Sequence, residues 1–131
     1  MTNKISELEV IVGNENYDII AVTEIFPKNI DDKKTCSFFI QGYSCIVQEF
    51  GRGICLYVKN DYEVNRLDTL ESIFSPSIVC EILQKGSEPI ICGLFYRSPG
   101  SNEIDNDKLN QAIQNISIEK KNSNVLIFRR F

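Results

Sequence analysis

The chain has 131 residues, 43% of them apolar and 24% charged, the balance of one globular domain with a hydrophobic core; a disordered or fibrous polymer is excluded. A formal net charge of -4 and a pI near 4.9 exclude a broad basic surface that binds nucleic acid by displacing counterions, so any such contact has to be local. An acidic balance stays compatible with a protein that meets phosphate through a carboxylate-held divalent cation.

Ile5, Leu8, Ile11 and Val12 recur at helical spacing and mark one face of a short amphipathic helix, stopped at Gly13-Asn14. The run DIIAVTE at 18–24 predicts a strand buried on both faces, and 25–34, with Pro27 and several charges, predicts a loop. Three β-prone runs follow, FFIQGYSCIVQE, GICLYVKN and YEVNRLD, separated by Phe50-Gly51-Arg52-Gly53 and by Asn60-Asp61; the expectation is an antiparallel meander. SIVCEIL and PIICGLFYR flank a turn with Gly86, which predicts a hairpin whose second strand starts near Pro89. Asp105 or Asn106 then caps a helix in which Leu109, Ala112, Ile113 and Ile116 share a face and Lys120-Lys121 suit the C-terminal dipole; the apolar strand NVLIF closes the series. This order reads as an α/β (α+β) layered sheet protein with helices outside.

The five cysteines, Cys36, Cys45, Cys55, Cys80 and Cys92, include no Cys-x-x-Cys pair, so neither a zinc knuckle nor that redox motif is present. Cys45, Cys55, Cys80 and Cys92 lie in apolar runs and read as small buried hydrophobes, consistent with a reducing compartment. MTNKISELEV lacks the apolar core of a signal peptide, and no apolar run is long enough for a bilayer. The expectation is an intracellular protein, of nucleus or cytoplasm, without membrane contact. Asn115-Ile116-Ser117 matches the glycosylation pattern by chance on that reading.

Taken in order, YDIIAVTE, GRGICLYVKN, IICGLFYRSPGSN, a helix and NVLI resemble successive landmarks of the endonuclease/exonuclease/phosphatase superfamily, in particular the endonuclease domain of non-LTR (LINE-type) retrotransposons. The Tyr-Arg-Ser-Pro piece is the most specific of them. The resemblance covers nearly the whole chain and implies a partial DNase I-like β-sandwich flanked by helices, with residues 1–131 as one truncated domain missing the family's first strand and C-terminal half. It further implies a metal-dependent phosphodiesterase acting on DNA. By the same resemblance Glu24 is the Mg²⁺ or Mn²⁺ ligand and Tyr96 the catalytic tyrosine whose hydroxyl lies near the scissile phosphate; Arg97 and Asn102 are phosphate contacts. Without the family, Glu24 reads rather as an acid in a solvated loop or one capping a local turn, and Tyr96 equally as an amphipathic residue at a sheet end. Arg52 reads as a hairpin residue rather than a substrate contact.

The chain departs from the family where the chemistry is densest. Asn3 does not match the family's asparagine ligand, and Phe128-Arg129-Arg130-Phe131 stands where the family continues Gly-Asp-Phe-Asn. No histidine occurs, so the family's closing Asp-His pair has no counterpart here. Arginine neither ligates a cation nor accepts a proton. The expectation is therefore an inactive endonuclease remnant, with an uncovered apolar patch around NVLIF and IICGLFYR that invites self-association. A non-catalytic protein-interaction module using that exposed sheet is the alternative.

Overall fold

The computed structural model describes residues 15–26, 38–71, 74, 76–96, 103–120 and 123–130, without the side chains of Asp105 and Arg130. The expected helix over Ile5–Val12, Cys36, most of the 25–34 loop, Arg97 and Asn102 lie outside those residues. The fold is mixed α+β with two sheets and few helices, and the chain divides into two compact units, 1–60 and 61–131.

The first unit carries strands β1 (Ile19–Thr23), β2 (Tyr43–Gln48) and β3 (Ile54–Lys59) in the order β1-β3-β2, all antiparallel. Gly51 and Gly53, at φ 61° and 77°, make the turn between β2 and β3, where a side chain would be strained. The Gly53 amide closes that turn on the Phe50 carbonyl at 3.0 Å. Alternation along β3 puts Cys55 and Tyr57 on one face, where they join Val22, Ile25, Phe26, Ile40 and Tyr43 in a core. Edge-on ring contacts hold that core, Phe26 against Phe38 at 5.5 Å and Tyr43 against Tyr57 at 6.5 Å. Each buried phenol finds a carbonyl: Tyr57 donates to Phe38 at 2.6 Å and Tyr43 to Tyr17.

Two expectations change here. β1 is an edge strand, half-buried over its first three residues, because its only described strand partner is β3. Ile25 and Phe26 lie outside any strand, in the loop expected there, yet are 2% and 1% exposed because their amides bond to the turn before β3. The run before β2 also bends at Gly42, φ 91°, so the strand starts at Tyr43 rather than at Phe38.

The second unit holds β4 (Glu63–Arg66), helix α1 (Asp68–Glu71), β5 (Ser77–Leu83), β6 (Ile90–Tyr96), helix α2 (Glu103–Glu119) and β7 (Asn124–Arg130). Its sheet has the order β4-β5-β6-β7, antiparallel except for the parallel β6–β7 pair, whose crossover contains α2. YEVNRLD is therefore not the third strand of a meander: β4 pairs with β5 and belongs to the second sheet. Leu67 leaves β4 for α1, a turn held by a bidentate ion pair. Arg66 Nε and Nη2 donate to both oxygens of Glu71 at 2.9–3.1 Å, and Glu71 also accepts the Val79 amide at 3.0 Å.

The β5–β6 hairpin forms as expected about Gly86, φ 82°, and β6 starts just after Pro89. Helix α2 begins at Glu103, ahead of the expected caps Asp105 and Asn106. Its apolar face is the expected one, with Leu109, Ala112 and Ile116 buried and Ile113 partly so. These pack with Leu70, Phe74, Val79, Ile91 and Phe95 into the second core. β6 is buried at every residue from Ile91 to Tyr96, which corrects the expectation of an uncovered IICGLFYR strand. Exposure falls instead on the edge strand β7, where Val125 and Leu126 are each 40% exposed. No helix among the described residues is long and apolar enough to cross a membrane.

Candidate functional site

Glu24 stands at the end of β1 with φ 55°, left-handed backbone that a non-glycine residue adopts at a cost of roughly 1 kcal/mol. The turn lets the next two amides reach the loop before β3: Ile25 donates to the Gly53 carbonyl at 3.3 Å and Phe26 to that of Arg52 at 2.9 Å. Arg52 reaches back across the same gap. Its Nε and Nη2 donate to the Phe26 carbonyl at 3.2 and 3.1 Å, and its Nη1 lies 3.4 Å from Glu24 Oε2. Both side chains are partly exposed, 44% for Arg52 and 32% for Glu24, so the ion pair fixes geometry more than it adds stability. A guanidinium beside the carboxylate disfavours a divalent cation there, because like charges a few ångströms apart repel.

The Gly-Arg-Gly turn is thus a latch on the segment after β1, in line with the hairpin role expected for Arg52. Gly53 is its tight point: a Cβ there would lie 2.6 Å from the Phe26 ring and 2.8 Å from Ile25, whereas one at Gly51 would meet nothing within 4 Å. Gly53→Ala is expected to cost about 2 to 3 kcal/mol, and Gly51→Ala only about 1 kcal/mol for its left-handed backbone. Urea midpoints followed by far-UV circular dichroism check this, and equal losses would contradict the close approach.

Tyr96 ends β6 in the second unit, 7% exposed, with its amide donating to the Pro76 carbonyl at 3.3 Å. The strand register sets Phe95 beside Arg129 and Tyr96 beside Arg130, so the two arginines continue β7 along the strand that ends in the candidate tyrosine. Glu24 belongs to the first unit and Tyr96 to the second, and Arg97 and Asn102 fall outside the described residues. Among the described residues no group of three or more His, Cys, Asp or Glu could hold a metal ion.

A different cluster escaped the sequence reading. Cys45, expected to be buried, is exposed on β2, and its Sγ lies 3.0 Å from Sγ of Cys55 on β3, with the Tyr57 phenol beside both. Hydrogen bonding from Cys55 lowers the Cys45 thiol below its ordinary value, with Tyr57 aiding and burial opposing. Cys55 is raised, by that same contact first and by burial next. In the second unit Cys80 and Cys92 are register partners, fully buried, and their thiols are hydrogen-bonded to each other. The signal was available: with the hairpin centred on Gly86, residues six before and six after it must face each other.

Comparison with protein-family models, with curated proteins and with solved structures gives no match.

Proposed function

We propose that this chain corresponds to the front half of an endonuclease/exonuclease/phosphatase-like domain of the retrotransposon type, and that by itself it does not cleave phosphodiester bonds. The observation that carries the proposal is at Glu24. The residue that the resemblance makes a Mg²⁺ or Mn²⁺ ligand lies 3.4 Å from the Arg52 guanidinium, and among the described residues no group of three or more acids, cysteines or histidines could hold a metal ion. Hydrolysis on such a scaffold needs several oxygen and imidazole groups acting as a unit around a cation. The chain has no histidine, and arginines occupy the positions after the β7 apolar run. Two sheets, together with a helix in the crossover between the parallel strands β6 and β7, support a partial DNase I-like sandwich as the finer fold.

Tyr96 is the catalytic position of that ancestry, Arg97 and Asn102 its phosphate contacts, and DNA its substrate. Incubating the purified chain with supercoiled plasmid and Mg²⁺ or Mn²⁺ tests the inactivity. The plasmid is expected to stay supercoiled; metal-dependent nicking that disappears in Glu24→Ala would overturn the proposal.

The second reading, a protein-interaction module, draws on β7: at the edge of its sheet among the described residues, with Val125 and Leu126 exposed, it offers an apolar strand to a second copy of the chain. Light scattering across a concentration series separates the two readings. A dimer dispersed by Leu126→Lys favours association through β7, and a monomer throughout removes it.

A further inference from the structure

We propose that Cys45 and Cys55 form a peroxide-responsive dithiol, in which Cys45 is the thiol oxidised first and Cys55 the thiol that resolves it into a disulfide. The two lie diagonally on adjacent antiparallel strands, two register positions apart: Cys45 faces Tyr57 and Cys55 faces Val47. Both side chains project from the same face of the sheet, and their sulfurs already approach to 3.0 Å. A disulfide needs about 2 Å, so the sulfurs must close by roughly 1 Å, and for a diagonal pair this takes a small adjustment of the two strands together with side-chain rotation.

Access and reactivity are divided between the partners. Cys45 is exposed on β2, whereas Cys55 is fully buried. The two thiols share a hydrogen bond, and of the pair Cys45 is lowered by it and Cys55 raised. The Tyr57 hydroxyl, which donates to the Phe38 carbonyl at 2.6 Å, stands beside both thiols and adds to the lowering of Cys45. An accessible, lowered thiol in contact with a second thiol is the arrangement that oxidation selects.

The step balances with hydrogen peroxide as oxidant. The Cys45 thiolate attacks one peroxide oxygen, the O–O bond breaks, and hydroxide leaves to take up a proton as water, so that Cys45 becomes a sulfenic acid. The Cys55 sulfur then attacks the Cys45 sulfur, the S–O bond breaks, and the hydroxyl leaves as water with the Cys55 proton. Two electrons pass from the two thiols to peroxide, and a dithiol reductant restores them.

Cys80 and Cys92 supply an internal comparison, being adjacent and hydrogen-bonded like the first pair but both fully buried. The full chain, titrated with peroxide and mapped by peptide mass spectrometry, is expected to form a Cys45–Cys55 bridge at least about tenfold faster than any oxidation of Cys80 or Cys92. In Cys55→Ser, Cys45 is expected to accumulate as a sulfenic acid captured by dimedone. In Cys45→Ser, a change at an exposed position that the fold tolerates, Cys55 is expected to stay reduced. A bridge between Cys80 and Cys92 forming equally fast, a bridge that uses Cys36, or direct passage of Cys45 to the sulfinic acid without a bridge would each overturn the proposal.

Discussion

Phe95→Ala is expected to lower the unfolding free energy by about 4 kcal/mol, the size of loss seen when a large aromatic is cut from a packed core. Phe95 is fully buried on β6, its ring 6.2 Å from that of Phe74, in the cluster formed by Leu70, Val79, Ile91, Leu109, Ala112 and Ile116. It also roofs a glycine: a Cβ on Gly93 would lie 2.8 Å from the Phe95 ring and 3.2 Å from Ile127. Removing the ring opens a cavity and uncovers the backbone at Gly93, and neither strand nor helix can collapse into the space without breaking register. Since domains hold only about 5 to 15 kcal/mol in total, the variant should be close to unfolding. Phe95→Leu, which keeps most of the volume, should lose about 1.5 kcal/mol or less. Urea unfolding at constant m-value measures both, and a loss under about 1 kcal/mol for the alanine variant would mean that the core is loosely packed at that point.

Stability is expected to fall steeply above pH 9. Cys55 and Cys92 are raised above their ordinary value of 9.0, each by the partner thiol first and by burial second, and Tyr57 above 10.0, by burial first and the neighbouring thiols second. A group raised in the folded state is protonated there while the unfolded chain ionises. Its contribution is therefore whole below the unfolded value and is lost as pH climbs above it. Cys45 and Cys80 are lowered, so they are already ionised in both states above 9.0 and add no slope in this window. Each raised group costs a little over 1 kcal/mol per pH unit, and the three together amount to on the order of 5 kcal/mol by about pH 11. Urea midpoints measured under reducing conditions between those limits should show the decline, and Cys92→Ala should make it shallower. A flat profile would show that these groups are not held protonated by the fold.

The parts of the fold that the sequence disclosed are those fixed by local signals. Gly86 with Pro89 marked the β5–β6 hairpin because a left-handed turn and a strand-opening proline are requirements of a few residues. Leu109, Ala112, Ile113 and Ile116 marked the buried face of α2 because helical period survives any tertiary setting. β4 was misplaced because Asn60-Asp61 offers acceptable hairpin chemistry toward β3, whereas the strand pairs with β5, the next strand, reached through α1. Of its four residues only Val64 is even half-buried, too little pattern to fix a pairing. The edge position of β1 was hidden because its pairing with β3 spans the whole of β2.

The candidate site was legible one residue at a time. Glu24 at the end of an apolar strand could be found from the family landmarks, but its pairing with Arg52 depends on a left-handed turn at a non-glycine residue, and glutamate gives no hint of that. Cys45 looked buried by its neighbours in sequence. Strand alternation put it on the same face as Tyr43 and Val47, yet at a point of the sheet that the surrounding chain leaves open.

The claim that Glu24 no longer serves a cation is tested most directly by Mn²⁺ itself. Electron paramagnetic resonance of Mn²⁺ titrated into the full chain should show the signal of the free aquo ion undiminished at stoichiometric protein, with wild type and Glu24→Gln indistinguishable. Uptake of one Mn²⁺ per chain that is lost in Glu24→Gln would contradict the account, and would make the Arg52 contact a resting arrangement that the metal displaces.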